Sequence, residues 1–172
     1  MSYTKLQVET LCKTLRTICR TILLNAGLYQ KEGIYQDLLI RELNIIGHTT
    51  IRERVFNCTF KDSIGSDIRI GNNQCFRSDI ELPDIKGILE LKASNSDASM
   101  ENIWQLRNYL NQRPELRWGI LINFISKCSP RCRPKIECIM LYRISDSDTN
   151  NYCKKTLYSE EYLPEQFNFE EW

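Results

Sequence analysis

Two carboxylates and a lysine stand in the middle of the sequence with a spacing that could support metal-dependent chemistry. Ten residues lie between Asp79 and the segment Glu90-Leu91-Lys92. Residues two apart on a strand point to the same face, so Glu90 and Lys92 would project together. Carboxylates from neighbouring strands form the oxygen-rich site that Mg²⁺ prefers. Such an ion activates water and neutralises charge on a phosphate, and a lysine beside it can orient or deprotonate that water.

The spacing alone is a weak signal, because any acidic residue about ten positions before a Glu-x-Lys strand satisfies it. A solvent-facing strand with an ordinary Glu–Lys pair is the structural alternative. The setting argues against that alternative, since residues 88–93 read Ile-Leu-Glu-Leu-Lys-Ala. Charges on a strand that a helix covers are costly unless they have a role.

Apolar residues recur at spacings that predict three helices and a group of strands. Residues 119–124 form a continuous apolar run, which is typical of a strand buried on both faces. The element order predicts one α/β (α+β) domain with a mixed sheet flanked by helices. The helices are predicted at residues 4–26, 32–46 and 100–111 with Ser99 as N-cap, and the strands within 50–92 and at 119–124 and 136–144.

Six sequence blocks follow one another in a distinctive order between residues 8 and 144. They are the N-terminal helix, G-L-Y-Q-K-E-G-I-Y at 27–35, R-S-D at 77–79, L-E-L-K-A at 89–93, Q-L-R-N-Y-L at 105–110 and G-I-L-I-N-F at 119–124. Their order and spacing resemble the GxxExxY proteins of the PD-(D/E)xK nuclease superfamily, whose Gln-Leu-x-x-Tyr motif also occurs in RecB-type nucleases. The resemblance implies a restriction-endonuclease-like core.

The resemblance also implies roles for the central residues. Asp79 and Glu90 would bind Mg²⁺ or Mn²⁺, with the backbone carbonyl of Leu91 as a third ligand. Lys92 would be the catalytic lysine. Glu32 would contribute to the metal site directly or through water.

The helix motif supplies two further candidates. Gln105 would lie beside the site and steady Lys92, a ligand water or a phosphate. Tyr109 follows four residues later on the same helical face. It would either contact a nucleotide or be a core tyrosine with its hydroxyl satisfied. Tyr35 is expected to pack in the core, and Asn123 to end a strand near the site.

The chain departs from the family pattern at two positions. Tyr29 stands where the family has the second glycine of its Gly-x-Gly-x-x-Glu entry, so we expect the turn before Glu32 to be rebuilt. Ser78 stands where the superfamily name has proline, which the family tolerates. Neither change removes a charged group from the predicted site.

A basic segment follows the strand at 119–124. Lys127, Arg131, Arg133 and Lys135 could grip a nucleic-acid backbone, or they could be the ordinary charged tip of a hairpin. Cysteines in and beyond this segment raise zinc as an alternative to free thiols, although zinc sites usually have tighter cysteine pairs and the spacing favours thiols. These cysteines are Cys128, Cys132, Cys138 and Cys153.

Charge is distributed unevenly along the chain. Residues 158–172 hold five glutamates, five aromatic residues and no lysine or arginine. The rest of the chain has a formal charge of +6, since this tail contributes −5 to the total of +1. We therefore expect a nuclease-like domain over residues 1–144 and an acidic-aromatic extension over 145–172 that packs on it. Such a tail also leaves open a homodimer or a protein partner.

The sequence predicts a Mg²⁺-dependent nuclease that hydrolyses DNA phosphodiester bonds. The alternative is a catalytically inactive protein of nuclease fold that binds nucleic acid or a protein partner.

Lys13, Arg16 and Arg20 interrupt the first apolar stretch, so we expect neither a signal peptide nor a membrane span. An intracellular location is expected, in the cytoplasm or nucleus. The many asparagines and isoleucines are typical of an AT-rich genome, bacterial or viral.

Overall fold

Six strands form the central sheet of the computed structural model, which describes residues 5–56, 59–61, 63–69, 76–127, 133–143 and 152–162. Only the strands Gly87–Ser94 and Trp118–Ile125 are parallel neighbours; the other neighbours in this sheet are antiparallel. A small hairpin of β2 (Thr59–Lys61) and β3 (Asp67–Arg69) stands apart. In sheet order the six strands are β1 (Ile51–Phe56), β4 (Phe76–Leu82), β5 (Gly87–Ser94), β6 (Trp118–Ile125), β7 (Lys135–Arg143) and β8 (Tyr152–Glu161).

Helices cover both faces of the sheet. α1 (Lys5–Ala26) and α2 (Glu32–Ile45) share one buried cluster with the sheet, and α3 (Met100–Gln112) covers a second cluster. α3 also supplies the crossover that the parallel pair β5–β6 requires. Within the described part of the chain, no helix is long and apolar enough to cross a membrane.

Alternation along β5 decides which face carries the charged residues. Leu89 and Leu91 lie in the cluster with α1 and α2, whereas Ile88 lies in the cluster under α3. Because successive side chains on a strand point to opposite faces, Glu90 and Lys92 belong to the α3 side. The candidate site is therefore on the face that α3 covers.

The three predicted helices and the predicted strands at 119–124 and 136–144 are confirmed, with bounds that differ by one or two residues. Ser99 is the N-cap of α3, since its hydroxyl accepts from the Asn102 amide at 3.3 Å and the Asn102 side chain accepts from the Ser99 amide at 3.0 Å. This reciprocal capping box fixes where α3 begins. The mixed sheet between helices confirms the predicted α+β class.

The C-terminal extension provides the last strand of the sheet. β8 pairs with β7 along its length, and Tyr162 is buried just beyond it. Packing of the tail is thus observed up to Tyr162. The remaining aromatic residues of the tail lie outside the described residues, so partner binding through them stays a prediction.

A buried ion pair joins the end of α3 to β4. Arg113 donates to both carboxylate oxygens of Glu81, each at 3.0 Å, and Glu81 is 2% exposed. Arg54 of β1 donates to the same carboxylate at 3.1 Å. A bidentate Arg–carboxylate pair fixes orientation as well as distance, so it holds α3 in place over the sheet.

Gly87 allows β5 and β6 to approach at the start of their pairing. A Cβ atom at this position would lie 2.1 Å from Cζ2 of Trp118, its partner across the ladder. The Trp118 indole is 2% exposed and donates to the Ile85 carbonyl at 3.2 Å. The ring cannot move aside without leaving the core.

We expect Gly87→Ala to lower the free energy of unfolding by about 1–3 kcal/mol, the range for overpacked cores. Chemical denaturation measures this change. Gly33→Ala is the matched control, because its Cβ would meet nothing closer than Arg52 at 3.9 Å and alanine favours the helix. A Gly87→Ala protein as stable as wild type would contradict the close packing.

Candidate active site

The site forms where β4 and β5 stop pairing. Their ladder runs from Leu82↔Gly87 to Ile80↔Leu89 and does not continue to Asp79. Instead, the Asp79 carboxylate accepts a hydrogen bond from the Leu91 amide at 2.7 Å. A side chain thus replaces the backbone partner that the ladder no longer supplies, and the two strands separate beyond it.

α2 enters the space that the separated strands leave. Gln36 donates to the Asp79 carbonyl at 3.1 Å, and Glu32 begins the helix one turn earlier. Residues four apart lie on the same helical face, so α2 presents both side chains to the strand ends. The pairing break therefore positions Asp79 and Glu32 at once.

Glu90 is the most buried acidic group of the site. Its side chain is 1% exposed, and Oε1 accepts from the Lys92 ammonium at 2.7 Å. Oε2 is buried and has no hydrogen-bond partner among the residues that the structure describes. Burial and the neighbouring Asp79 carboxylate raise the pKa of Glu90 to about 8. A buried carboxylate oxygen without a donor is costly, and a bound cation would satisfy it.

Two further carboxyl groups share this environment. Burial raises the pKa of Asp79, and the Leu91 amide opposes the rise only in part. Burial also raises the pKa of Glu32, which Lys92 partly offsets. Three carboxyl groups with raised pKa values mark a place where negative charge is poorly compensated by the protein alone.

Lys92 lies between two of these carboxyl groups. Its Nζ atom is 2.7 Å from Glu90 and 4.0 Å from Oε1 of Glu32. Burial alone would lower the pKa of Lys92, but Glu90 and the other carboxylates outweigh it, so the pKa is raised. The lysine is a charged ammonium at neutral pH.

Gln105 and Tyr109 form a chain of hydrogen bonds beside the site. Gln105 Nε2 donates to the Tyr109 hydroxyl at 2.6 Å, and that hydroxyl donates to the Arg77 carbonyl at 2.9 Å. Tyr109 is 3% exposed, with Phe56 and Phe76 at its ring edges. Tyr109 thus occupies the core position that the second alternative describes. A contact between Tyr109 and a nucleotide stays a prediction. Gln105 bonds Tyr109, whose pKa is raised by burial and by the nearby Glu90 and Asp79 carboxylates.

The predictions for Tyr35 and Asn123 concern packing and the end of a strand, and they have different outcomes. Tyr35 packs in the core as expected, stacked on Phe124 with centroids 4.2 Å apart. Asn123 does not end its strand, since β6 continues to Ile125. Asn123 instead accepts from the Ser94 hydroxyl at 2.8 Å and donates to the Ser96 carbonyl at 2.9 Å, which secures the loop after β5.

The turn before Glu32 places Tyr29 in a conformation that glycine favours. Tyr29 has φ 61°, in the left-handed region. For a residue with a side chain this conformation costs about 1–2 kcal/mol. The departure from the family pattern is thus accommodated as local strain.

The basic segment contributes two exposed cations near the site. Lys127 and Arg133 are exposed, whereas Lys135 pairs with Asp97 at 2.5 Å. Arg131 lies outside the described residues. Because β5 and β6 are parallel, Lys127 follows β6 at the same edge of the sheet as Lys92. Lys135 already has the Asp97 carboxylate as a partner, and its contact with a phosphate stays a prediction.

The cysteines do not assemble the zinc site raised as an alternative. Cys138 lies opposite Tyr158, and Cys153 lies opposite Tyr142, four residues further along β7. Four residues of strand span about 13 Å, so these two thiols cannot bind one ion. Cys128 and Cys132 lie outside the described residues, and the described part contains no cluster of three metal-ligating side chains.

Sequence reasoning missed two residues of the site. Gln36 could have been found, because it stands one helical turn after Glu32 on the same face. No sequence motif pointed to Glu53. It lies on β1 across from Asp79 and has φ 46°, and its carboxylate is 3.6 Å from the Arg77 guanidinium. Its charge helps to raise the pKa of Asp79.

In one class of nuclease folds, two strands of a mixed sheet separate beside acidic residues, and a lysine stands two positions after one of these acidic residues. The sequence model of the PD-(D/E)XK nuclease superfamily matches residues 9–134, and the chain belongs to this superfamily. No curated protein and no solved structure matches the chain. Assignment to the GxxExxY proteins within the superfamily stays a prediction.

The raised pKa of Glu90 predicts a pH-dependent stability in metal-free protein. A folded-state pKa of about 8, above the ordinary 4.5, means that the folded state binds the extra proton between these values. The free energy of unfolding then falls as pH rises, by at most about 1.4 kcal/mol per unit. Denaturation in EDTA between about pH 5 and 8 should show a smaller decline for Glu90→Gln. Parallel profiles would contradict this prediction.

Proposed function

We propose that the protein is a Mg²⁺-dependent nuclease that hydrolyses phosphodiester bonds in DNA. The observation that carries the proposal is Oε2 of Glu90, which is buried beside the Asp79 carboxylate where β4 and β5 separate and has no partner within the described part of the chain. Membership of the nuclease superfamily supports the same reading. Together they favour turnover over a binding module that merely keeps the fold.

The donor set of the site fits a hard divalent cation. Asp79 and Glu90 would hold Mg²⁺ with carboxylate oxygens, the Leu91 carbonyl would add a third ligand, and Glu32 would act directly or through water. When bound, the ion lowers the pKa of water and neutralises charge on the phosphate. All of these ligands are oxygen atoms, which suits Mg²⁺ or Mn²⁺ rather than zinc.

Lys92 would act as a positioned cation. Because its carboxylate partners raise its pKa, it carries its proton at neutral pH. A protonated lysine donates hydrogen bonds, so it would orient the attacking water and stabilise negative charge on the phosphate. Direct removal of a proton from water by Lys92 is disfavoured in this environment.

Neighbouring residues would hold the reacting groups in place. Gln36 fixes the backbone of Asp79, and Gln105 with Tyr109 ties α3 to the backbone of Arg77. Exposed Lys127 and Arg133 would neutralise phosphates on either side of the cleaved bond. Fixed geometry matters here because small displacements of catalytic groups reduce rates strongly.

Removal of the lysine tests turnover. We expect Lys92→Ala to reduce Mg²⁺- or Mn²⁺-dependent cleavage of DNA by at least about 100-fold, the lower end for a positioned acid–base or electrostatic group. Gel assays of nicking and degradation measure this, with thermal unfolding as a check on the fold. Lys154→Ala, on the exposed edge strand β8, is the control and should cleave at the wild-type rate.

Two results would contradict the proposal. One is highly purified wild-type protein that cleaves neither DNA nor RNA with either ion. The other is a Lys92→Ala protein as active as wild type. Retention of salt-dependent DNA binding without cleavage, unchanged in Asp79→Asn, would instead identify an inactive binding protein.

Metal binding can be measured without turnover. We expect Asp79→Asn to weaken Mn²⁺ affinity at least about 10-fold in calorimetry. Wild-type affinity should rise with pH up to about 8, because the proton on Glu90 must leave before the ion binds. Equal affinity in Asp79→Asn, or no pH dependence below that value, would place the ion elsewhere.

A further inference from the structure

An exposed aromatic ring stands in the turn that leads into the site. Tyr29 is 66% exposed, and Glu32 follows three residues later as the first residue of α2. Three residues span at most about 11 Å, so Tyr29 lies close to the predicted metal site. The Glu32 carboxylate is itself 4.0 Å from the Lys92 ammonium.

The backbone of this turn is held from three sides. The Tyr29 amide donates to the Ser126 hydroxyl at 2.9 Å, across the sheet edge. The Tyr35 hydroxyl donates to the Gly27 carbonyl, and the Gln30 side chain donates to the Ala26 carbonyl, each at 2.9 Å. The turn is therefore fixed while the Tyr29 ring extends into solvent.

Neither packing nor backbone preference accounts for tyrosine at this position. The ring is mostly exposed, and φ 61° is a conformation in which glycine or asparagine would be less strained. Strained residues held in place by their surroundings are concentrated at functional sites. A role for the aromatic ring in binding would explain why the strain is retained.

The charges around Tyr29 indicate what the ring would bind. Lys31 is exposed two residues later, and exposed Lys127 follows directly after Ser126. An exposed aromatic ring accompanied by cations matches the way proteins bind single-stranded nucleic acids: bases stack on the ring and cations neutralise the backbone. The surface thus has complementary groups for both parts of an unpaired nucleotide.

We propose that Tyr29 is a stacking platform for an unpaired base next to the cleaved phosphate, so that the site prefers single-stranded DNA. This inference rests on the proposed function, because it specifies the substrate of the same site. In an intact duplex both faces of an internal base are already covered by stacking. Only a single strand or a frayed end offers a free base face to Tyr29.

The test compares affinities for a short single strand and for a blunt duplex of the same sequence. Fluorescence anisotropy is measured in EDTA, so that no cleavage occurs. Tyr29→Asn removes the ring and keeps a residue that tolerates the left-handed conformation. We expect it to weaken single-strand binding about 10-fold, whereas Tyr29→Phe stays within about 2-fold of wild type. Duplex affinity should change by less than about 2-fold.

Trp104→Ala is the matched control. Trp104 is 56% exposed on α3, and Arg107, one turn later, lies 5.8 Å over the ring of Tyr152 on β8, away from the site. Its loss should leave both affinities unchanged. Thermal unfolding of each variant verifies that the fold is intact.

Separate outcomes distinguish this inference from the proposed function. Equal single-strand affinity of Tyr29→Asn and wild type would overturn the stacking role, as would an equal loss in Trp104→Ala. Wild-type protein that cleaves blunt duplex as fast as single strand with Mn²⁺ would overturn the substrate preference. If wild type cleaves neither, the proposed function fails, and the affinities still decide whether Tyr29 stacks on bases.

Discussion

The hydrogen bond from the Leu91 amide to the Asp79 carboxylate determines how the rest of the site is built. It occupies the position where a backbone partner would otherwise continue the β4–β5 ladder. Once the strands separate, the Glu90 carboxylate lies in a low-dielectric interior with Asp79 beside it. Like charges so placed raise each other's pKa and attract cations. The chemistry of the site thus follows from an interrupted sheet rather than from an added loop.

Rigid supports surround this interruption on both faces of the sheet. On one face, α2 enters the gap and Gln36 bonds the Asp79 backbone. On the other, the Arg113–Glu81 pair holds the end of α3, whose Tyr109 reaches the backbone two residues before Asp79. Each support is buried and directional, so the carboxylates cannot relax apart to relieve their repulsion. The fold therefore stabilises an electrostatic arrangement that is unfavourable by itself.

The sequence predicted the helices, most strands and the proximity of Asp79, Glu90 and Lys92, because helix periodicity, strand alternation and short motifs are local properties. Gln36 was accessible to the same reasoning, since it is one helical turn from Glu32. Outcomes that depended on distant parts of the chain were not predictable. Asp97 neutralises Lys135 only because the loop after β5 meets β7, and Tyr109 is enclosed only because two phenylalanines from other strands meet it. The spacing of residues along the sequence does not show which side chains will be buried by residues from distant parts of the chain.

The hydrogen bond from the Lys92 ammonium to Glu90 has a consequence for how the protein folds. It gives one buried oxygen of Glu90 a partner before any metal binds. A chain of this kind can complete its fold while divalent ions are scarce, unlike small zinc domains that are unfolded without metal. In the proposed nuclease, the supply of ions would govern turnover and leave the fold unaffected. Folding and activation would then be separate events.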